Sequence, residues 1–92
     1  MITAIVFINA QTSRIPEVAR LIADLPGVSE VYSTTGTIDL IAMVRVGSID
    51  DVAVTVADRL NKIEGIVNTE THIAFRAYSS IDLESAFSLG DD

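Results

Sequence analysis

The chain has 92 residues, and 49% of them are hydrophobic, which predicts one compact domain with a packed core. It contains no cysteine and one histidine, so disulfides and thiolate metal sites are excluded and we expect no metal and no cofactor. The net charge of −7 and the six scattered basic residues exclude a protein that binds the phosphate backbone of nucleic acid on its own.

The first part of the chain predicts a strand followed by a helix. Residues 2–9 are apolar on both faces, which is typical of a strand in the interior of a sheet. Thr12 or Ser13 is predicted to cap the helix, and Pro26-Gly27 to stop it. Its apolar stripe is formed by Ile15, Val18, Ala19, Ile22 and Leu25.

Two strands follow without a helix between them. Residues 28–35 are more polar, as expected of a strand at the edge of a sheet. A tight connection is predicted at Gly36-Thr37, and residues 38–46 form a largely apolar strand. The pattern therefore indicates an edge strand paired with a central one.

The last part predicts a second helix and a fourth strand. Ser48 and Asp51 resemble a capping box, and Gly65 ends the helix. Residues 67–77 are predicted to form the last strand. The apolar stripe of this helix is formed by Ile49, Val52, Ala53, Val56, Leu60 and Ile63.

An internal repeat supports this order of elements. When the sequence is shifted by 38 residues, Gly27 falls on Gly65, and apolar positions of the first half fall on apolar positions of the second. Two such βαβ units predict an α+β fold, the ferredoxin-like βαββαβ sandwich. Right-handed crossovers would place the first and third strands in the centre and both helices on one face.

Strand alternation divides the side chains of this sheet between the helices and an open face. The helix-facing set is predicted to be Ala4, Val6, Ala42, Val44, Ile73 and Phe75. The outward set is predicted to be Ile5, Phe7, Ile41, Met43, Arg45, Glu70, His72 and Arg76. Because the outward set contains a large apolar patch, we expect a second subunit to cover it, with Arg45 or Arg76 pairing with Glu70. The chain would then form a dimeric α+β barrel, whose interface includes Ile5, Phe7, Ile41, Met43, Arg45 and His72.

The end of the chain is acidic. Residues 82–92 contain four acidic residues and no basic one, so residues 79–92 are predicted to form an acidic C-terminal tail. This tail is either solvated or docks on a neighbouring surface through Ile81, Leu83, Phe87 and Leu89. We expect a cytoplasmic protein without contact to a membrane, since no apolar run spans a bilayer and no signal peptide is recognisable.

His72 invites a catalytic interpretation, because it is predicted to share a strand face with Glu70 and Arg76. A dimer could enclose a cavity around it, as in a small monooxygenase or isomerase. The alternative is a histidine that is hydrogen-bonded within the dimer interface. We expect no enzyme, because no nucleophile or acid–base pair with an orienting partner is recognisable.

Residues 34–39 bring hydroxyl groups, backbone N–H groups and one carboxylate together. Gly36 permits a positive φ and a close approach of the backbone to a ligand. The N–H groups can bind a carboxylate and Asp39 an ammonium group, which are the two ends of an amino acid. An ordinary hairpin accounts for the same residues, so both interpretations stay open at this point.

Three motifs resemble the effector-binding (RAM) domain at the C-terminal end of Lrp/AsnC regulators. They are Tyr32-x-x-Thr35-Gly36-x-x-Asp39, Leu25-Pro26-Gly27-Val28 and Gly65-Ile66-Val67-x-Thr69-Glu70-Thr71-x-Ile73. The resemblance covers residues 2–78, and we expect a RAM-like ligand-binding domain over residues 1–78. Since the winged helix-turn-helix of the family is missing before the first strand, the chain resembles the stand-alone form.

The resemblance implies a stand-alone sensor of amino acids or related effectors that regulates transcription through assembly and not by binding DNA. It implies homodimers that assemble into rings, commonly octamers, with the effector between dimers. The ligand-binding residues that it implies are Thr35, Gly36, Thr37, Asp39, Thr69 and Thr71. A full-length Lrp/AsnC regulator is a further expected partner. The alternatives are a small dimeric enzyme that uses His72 and an ACT-like regulatory module.

Overall fold

The computed structural model describes residues 1–80, which form two helical segments and one antiparallel sheet. The elements are β1 (Ile2–Ala10), a 3₁₀ turn (Thr12–Arg14), α1 (Ile15–Ala23), β2 (Val28–Ser33), β3 (Leu40–Val46), α2 (Ile49–Ala53) and β4 (Ile66–Ala74). The strand order is β2-β3-β1-β4. This is the predicted ferredoxin-like fold, with the two most apolar strands in the centre and the more polar β2 at an edge.

One face of the sheet carries the hydrophobic core. Alternate residues of β1 and β3 are fully buried there, because successive side chains of a strand point to opposite faces. The buried strand residues are Ala4, Val6, Ile8, Leu40, Ala42 and Val44. They pack against helix residues Val18, Ile22, Val52, Val56 and Leu60, so both helices cover the same face, as predicted.

The prediction that Phe75 faces the helices is wrong, because β4 ends at Ala74 and not at residue 77. Phe75 is 99% exposed. Ala74 pairs with Thr3, which is one residue from the start of β1. The residues after Ala74 therefore have almost no neighbouring strand to pair with. Ile73, the partner of Ala4, lies on the helix-facing side but remains 39% exposed at this edge.

The two helix starts differ from each other. Ser48 caps α2, and its side chain accepts a hydrogen bond from the Asp51 backbone N–H at 3.2 Å, as predicted. The predicted cap at Thr12 or Ser13 is wrong, because both residues lie in the 3₁₀ turn and α1 has no side-chain cap. In that turn the Arg14 backbone N–H donates to the Gln11 carbonyl at 2.8 Å. This N–H, at the start of α1, is therefore satisfied without a side-chain cap.

The second helix is not a uniform α-helix. After α2 it continues as a π-helical stretch (Val54–Arg59) and a 3₁₀ turn (Leu60–Lys62). The β-branched residues in this stretch are poor α-helix formers, which weakens the regular hydrogen-bond ladder. Of the predicted stripe, Ile49 and Ala53 are exposed, whereas the others pack on the core.

The repeat is preserved in the backbone. Gly27 and Gly65, which correspond under the shift, have φ angles of 93° and 104° and each lies between a helix and a strand. A Cβ on Gly65 would lie 2.8 Å from Val18 Cγ2, so this position needs glycine for its φ and for its space. Both halves therefore end their helices by the same device.

Within residues 1–80 no helix is long and apolar enough to cross a membrane. The predicted acidic tail lies, from Ile81 onward, outside the described residues, and the docking interpretation of its apolar side chains stays a prediction.

Candidate functional site

Residues 34–39 form a loop between β2 and β3, which we call the effector-candidate loop. It joins Ser33 to Leu40, the last pair of these strands, and is longer than the tight connection that was predicted. Thr34 closes its base, since its backbone N–H donates to the Asp39 carbonyl at 3.1 Å and its hydroxyl to the Ile38 carbonyl at 2.6 Å. The loop is thus held at both of its ends.

The tip of the loop is open. Gly36 has a φ of 94°, in the region that favours glycine, and a Cβ built there would meet no atom within 4 Å. The position therefore needs glycine for its conformation and not for space. Within the described part of the chain, the backbone N–H groups of Thr35, Gly36 and Thr37 donate to no protein acceptor. Three exposed donors in succession are suited to an anion.

Asp39 is bonded to the end of β1. Its Oδ2 accepts a hydrogen bond from the Ala10 backbone N–H at 3.0 Å and lies 3.4 Å from Asn9 Nδ2. Its own backbone N–H donates to the Ile8 carbonyl at 3.1 Å. Among residues 1–80, the hydrogen bonds to this carboxylate all go to Oδ2, which leaves Oδ1 for a ligand.

Asn9 is a residue of this site that the sequence analysis missed. Its Nδ2 also donates to the Thr37 carbonyl at 2.6 Å, so one side chain links β1 to the loop. The signal in the sequence is that Asn9 is polar and directly follows the apolar run of residues 4–8. Its partner lies 28 residues away, which no local pattern indicates.

The structure does not bring Thr69 and Thr71 to the loop. They lie on β4, opposite Ile8 and Val6, with β1 between them and β3. Two strand spacings correspond to about 10 Å. The Thr69 hydroxyl donates instead to Asn61 Oδ1 at 2.8 Å. Within one chain the predicted site therefore has two parts, the loop and the edge of β4.

The open face of the sheet carries the residues that were predicted to form an interface. Ile5, Phe7, Ile41 and Met43 are neighbours on the two central strands and are half-buried. Within one chain Arg45 does not pair with Glu70, because it contacts Ser29 Oγ and pairs with Glu30 at 2.9 Å. Pairing of Arg45 or Arg76 with Glu70 across a subunit interface stays a prediction. Arg45 lies next to β2, whereas Glu70 lies on β4 at the other edge.

His72 lies on the same open face and is more than half exposed. Its Nε2 is 2.6 Å from Glu70 Oε2, and its ring stands edge-on to Phe7 with the centroids 5.2 Å apart. No group of three or more metal-ligating side chains occurs in the part of the chain that the structure describes. The surroundings of His72 are thus those of a surface pair beside an apolar patch.

Comparison with known proteins identifies the family. The family model of the Lrp/AsnC ligand binding domain matches residues 3–82. The regulator LysM of Saccharolobus solfataricus, of the HTH type, is 38% identical over 63 residues, which are 68% of this chain and 44% of LysM. YugG of Bacillus subtilis, an uncharacterized HTH-type transcriptional regulator, is 36% identical over 76 residues, which are 83% of this chain and 45% of YugG.

A solved structure is similar to this chain in both fold and sequence. TTHA0845 from Thermus thermophilus matches with a TM-score of 0.81 and 43% identity, over 86% of this chain and 99% of that one. This chain spans less than half the length of LysM and YugG, which are both named HTH-type transcriptional regulators. The chain belongs to the Lrp/AsnC family and consists mainly of the ligand-binding domain of that family.

Proposed function

We propose that this domain senses α-amino acids or closely related molecules and that the effector-candidate loop, residues 34–39, is its binding site. One observation carries the proposal: within residues 1–80 the successive backbone N–H groups of Thr35, Gly36 and Thr37 have no protein acceptor, and the carboxylate of Asp39 lies at the end of the same loop. Domains of this family bind amino-acid effectors and oligomerise, which supports the same interpretation.

The chemistry of the loop matches the two charged ends of an amino acid. The N–H groups of Thr35, Gly36 and Thr37 would donate to its carboxylate, and Asp39 Oδ1 would accept from its ammonium group. Hydrogen bonds to charged groups contribute about 1.5–3 kcal/mol each, so two such contacts supply about 3–6 kcal/mol, which corresponds to a Kd between the millimolar range and tens of micromolar. The exposed hydroxyls of Thr35 and Thr37 are further donors.

Assembly belongs to the same proposal. A second copy would cover the four apolar side chains of the open face and give a homodimer. Dimers would then form a ring, with an octamer as the favoured size and the effector between dimers. Since β1 separates Thr69 and Thr71 from the loop of their own chain, we infer that these residues reach the effector from a neighbouring copy.

The proposed role is regulatory, in the cytoplasm, and without catalysis. His72 would be an interface residue, since its ring packs on Phe7 beside the apolar patch. The described residues carry nine acidic and six basic side chains, so we propose that the domain does not bind DNA itself. The fact that the named relatives are HTH-type transcriptional regulators supports this role.

Co-assembly with a full-length regulator is the partner that we propose. A shared ligand-binding domain offers the same sheet face to both proteins, so mixed dimers can form. Co-expression with a tagged Lrp/AsnC regulator from the same cell should yield the mixed complex, and Phe7→Glu in this chain should abolish it. Absence of mixed species under conditions in which both homodimers form would contradict this part.

The test of the effector site is thermal unfolding against a panel of L-amino acids and their D-enantiomers at millimolar concentration. A ligand at about 100 times its Kd adds ~2.7 kcal/mol of stability, which raises the Tm of a small domain by several degrees. We expect a few L-amino acids to raise the Tm and their D-forms to have less effect. Amide NMR shifts should then concentrate in residues 34–39, with the outer face of α1 as the internal control.

A panel in which no amino acid shifts the Tm, or shifts that map to α1 instead of the loop, would contradict the proposal. Shifts that map to the surroundings of His72 would favour the cavity alternative.

A further inference from the structure

We propose that Asn9 is a positioning residue for effector binding: its side-chain amide holds residues 34–39 in the conformation that presents their free N–H groups. The inference deepens the function proposed above and rests on it. Asn9 itself contacts no effector in this scheme, because both of its amide bonds go to the loop.

The geometry at Asn9 links the loop to the sheet through one amide group. Nδ2 lies 2.6 Å from the Thr37 carbonyl oxygen and 3.4 Å from Asp39 Oδ2. An amide has two N–H donors, so both contacts can form at once. The backbone of Ala10 donates to the same Oδ2 at 3.0 Å, and the three contacts form one connected network.

The loop depends on this network because, among residues 1–80, its tip has no other hydrogen-bond partner. Gly36 has open space where a side chain would stand, and residues 35–37 are exposed. Thr34 holds only the base of the loop, through its contacts to Ile38 and Asp39. Asn9 is the side chain that bonds to the far half of the loop, at the carbonyl of Thr37.

The proposed role requires the side-chain amide of asparagine at position 9. A carboxylate at this position would have no proton to donate to the Thr37 carbonyl and would repel Asp39. Alanine would leave the Thr37 carbonyl without this donor. The strand partner of Asn9 on β4 is another asparagine, Asn68, which is exposed and therefore offers a matched control of the same type.

The first experiment measures hydrogen exchange in the protein without effector, for Asn9→Ala and Asn68→Ala. The amides of Ala10 and Asp39 are hydrogen-bonded at the junction, so their exchange reports how often the loop detaches. We expect Asn9→Ala to speed their exchange about threefold to tenfold, which is the effect of losing the short bond to the Thr37 carbonyl, since the 3.4 Å contact to Asp39 is long and therefore weak. Asn68→Ala should leave both rates unchanged.

The second measurement is affinity for the amino acid that gives the largest Tm shift with the unaltered protein. Asn9→Ala should raise its Kd about threefold to tenfold, and Asn68→Ala should not. Circular dichroism and the Tm without effector should stay close to those of the unaltered protein for both variants. This separates a positioning role from general unfolding.

A third variant, Asn9→Asp, gives a readout that a merely structural role would not move. Its carboxylate cannot donate to the Thr37 carbonyl when it is ionised, and it would lie beside the like charge of Asp39. The protonated form can donate one hydrogen bond, so the Kd of Asn9→Asp should fall relative to that of Asn9→Ala as the pH is lowered. The Kd of the unaltered protein should show no such fall relative to that of Asn9→Ala.

The inference is overturned if Asn9→Ala leaves the exchange of Ala10 and Asp39 unchanged, or if Asn68→Ala has the same effect. It is also overturned if the Kd of Asn9→Ala is unaltered while the unchanged protein binds. If no amino acid binds the unaltered protein, the proposed function fails by itself. The exchange data then still decide whether Asn9 holds the loop.

Discussion

At the residue scale, Asp39 has an observed structural role and a proposed binding role, and substitutions can separate the two. One carboxylate oxygen is bonded to the backbone of Ala10 and to Asn9, so it contributes to the loop conformation. The other is the proposed partner of an ammonium group. A replacement that keeps an acceptor but removes the charge therefore separates architecture from recognition.

Asp39→Asn should retain the bond to Ala10, because the asparagine carbonyl still accepts from its N–H. We expect amino-acid binding to weaken by about 1.5–3 kcal/mol, since the charged partner is lost, with little change in stability. Asp39→Ala should weaken binding at least as much and also destabilise the protein by about 1 kcal/mol. Calorimetric titration and urea unfolding measure the two effects. Equal affinity of Asp39→Asn and the unaltered protein would mean that Asp39 only shapes the loop.

Gly36 is required for its backbone angle alone, since the space around it is open. An L-residue in the left-handed region costs about 1–2 kcal/mol, and an exposed loop avoids this cost by changing its conformation. We therefore expect Gly36→Ala to lower amino-acid affinity about tenfold at nearly constant Tm. The control is Gly47→Ala, where the new Cβ would make an ordinary 3.7 Å contact to Asp51. Undiminished affinity of Gly36→Ala would place the effector elsewhere.

At the scale of elements, the two helix starts show which local signals decide a structure. The serine before α2 forms the cap that its sequence indicates, at 3.2 Å from the Asp51 N–H. Thr12 and Ser13 offer the same chemistry, but the chain turns in a 3₁₀ conformation there and uses the Gln11 carbonyl instead. A capping residue type is therefore not sufficient for a capped helix.

These two starts provide a matched pair of substitutions. Ser48→Ala should destabilise the protein by about 0.5–2 kcal/mol, because the Asp51 N–H loses its acceptor. Ser13→Ala should change stability by less than about 0.5 kcal/mol, since it is exposed and makes no cap bond. Chemical denaturation of both variants measures the difference. A loss at Ser13 that equals the loss at Ser48 would contradict the assignment of the caps.

At the scale of the whole molecule, the sheet has one face covered by helices and one face open. The open face bears four half-buried apolar side chains on adjacent strands, flanked by the pairs Arg45–Glu30 and His72–Glu70. Apolar patches with a polar rim are typical of protein–protein interfaces. This arrangement supports the proposed pairing of two copies through their sheets.

Phe7→Glu should convert the proposed dimer into a monomer, because an unpaired carboxylate would be buried at the centre of the patch. The control is Leu21→Glu, which places the same charge on a residue of α1 that is 49% exposed on the helix side. Sedimentation velocity measures the assembly state of both. If Phe7→Glu assembles like the unaltered protein, the interface lies on another surface.

The sequence by itself determined the order of the elements, the two central strands, the buried face and the loop that carries the candidate site. These features follow from the periodicity of apolar residues and from glycine positions, which are local properties of the chain. Thr35, Gly36 and Asp39, which carry part of the family resemblance, also lie close together in the sequence.

The tertiary structure alone decided which side chains meet. Arg45 pairs with Glu30, Asn9 bonds to Thr37, and Thr69 lies two strands from the loop, because strand order and register place them there. It also decided where β4 ends, since a strand continues only while its neighbour offers a partner. Such contacts join positions far apart in the chain, and a periodic pattern contains no information about the distance between them.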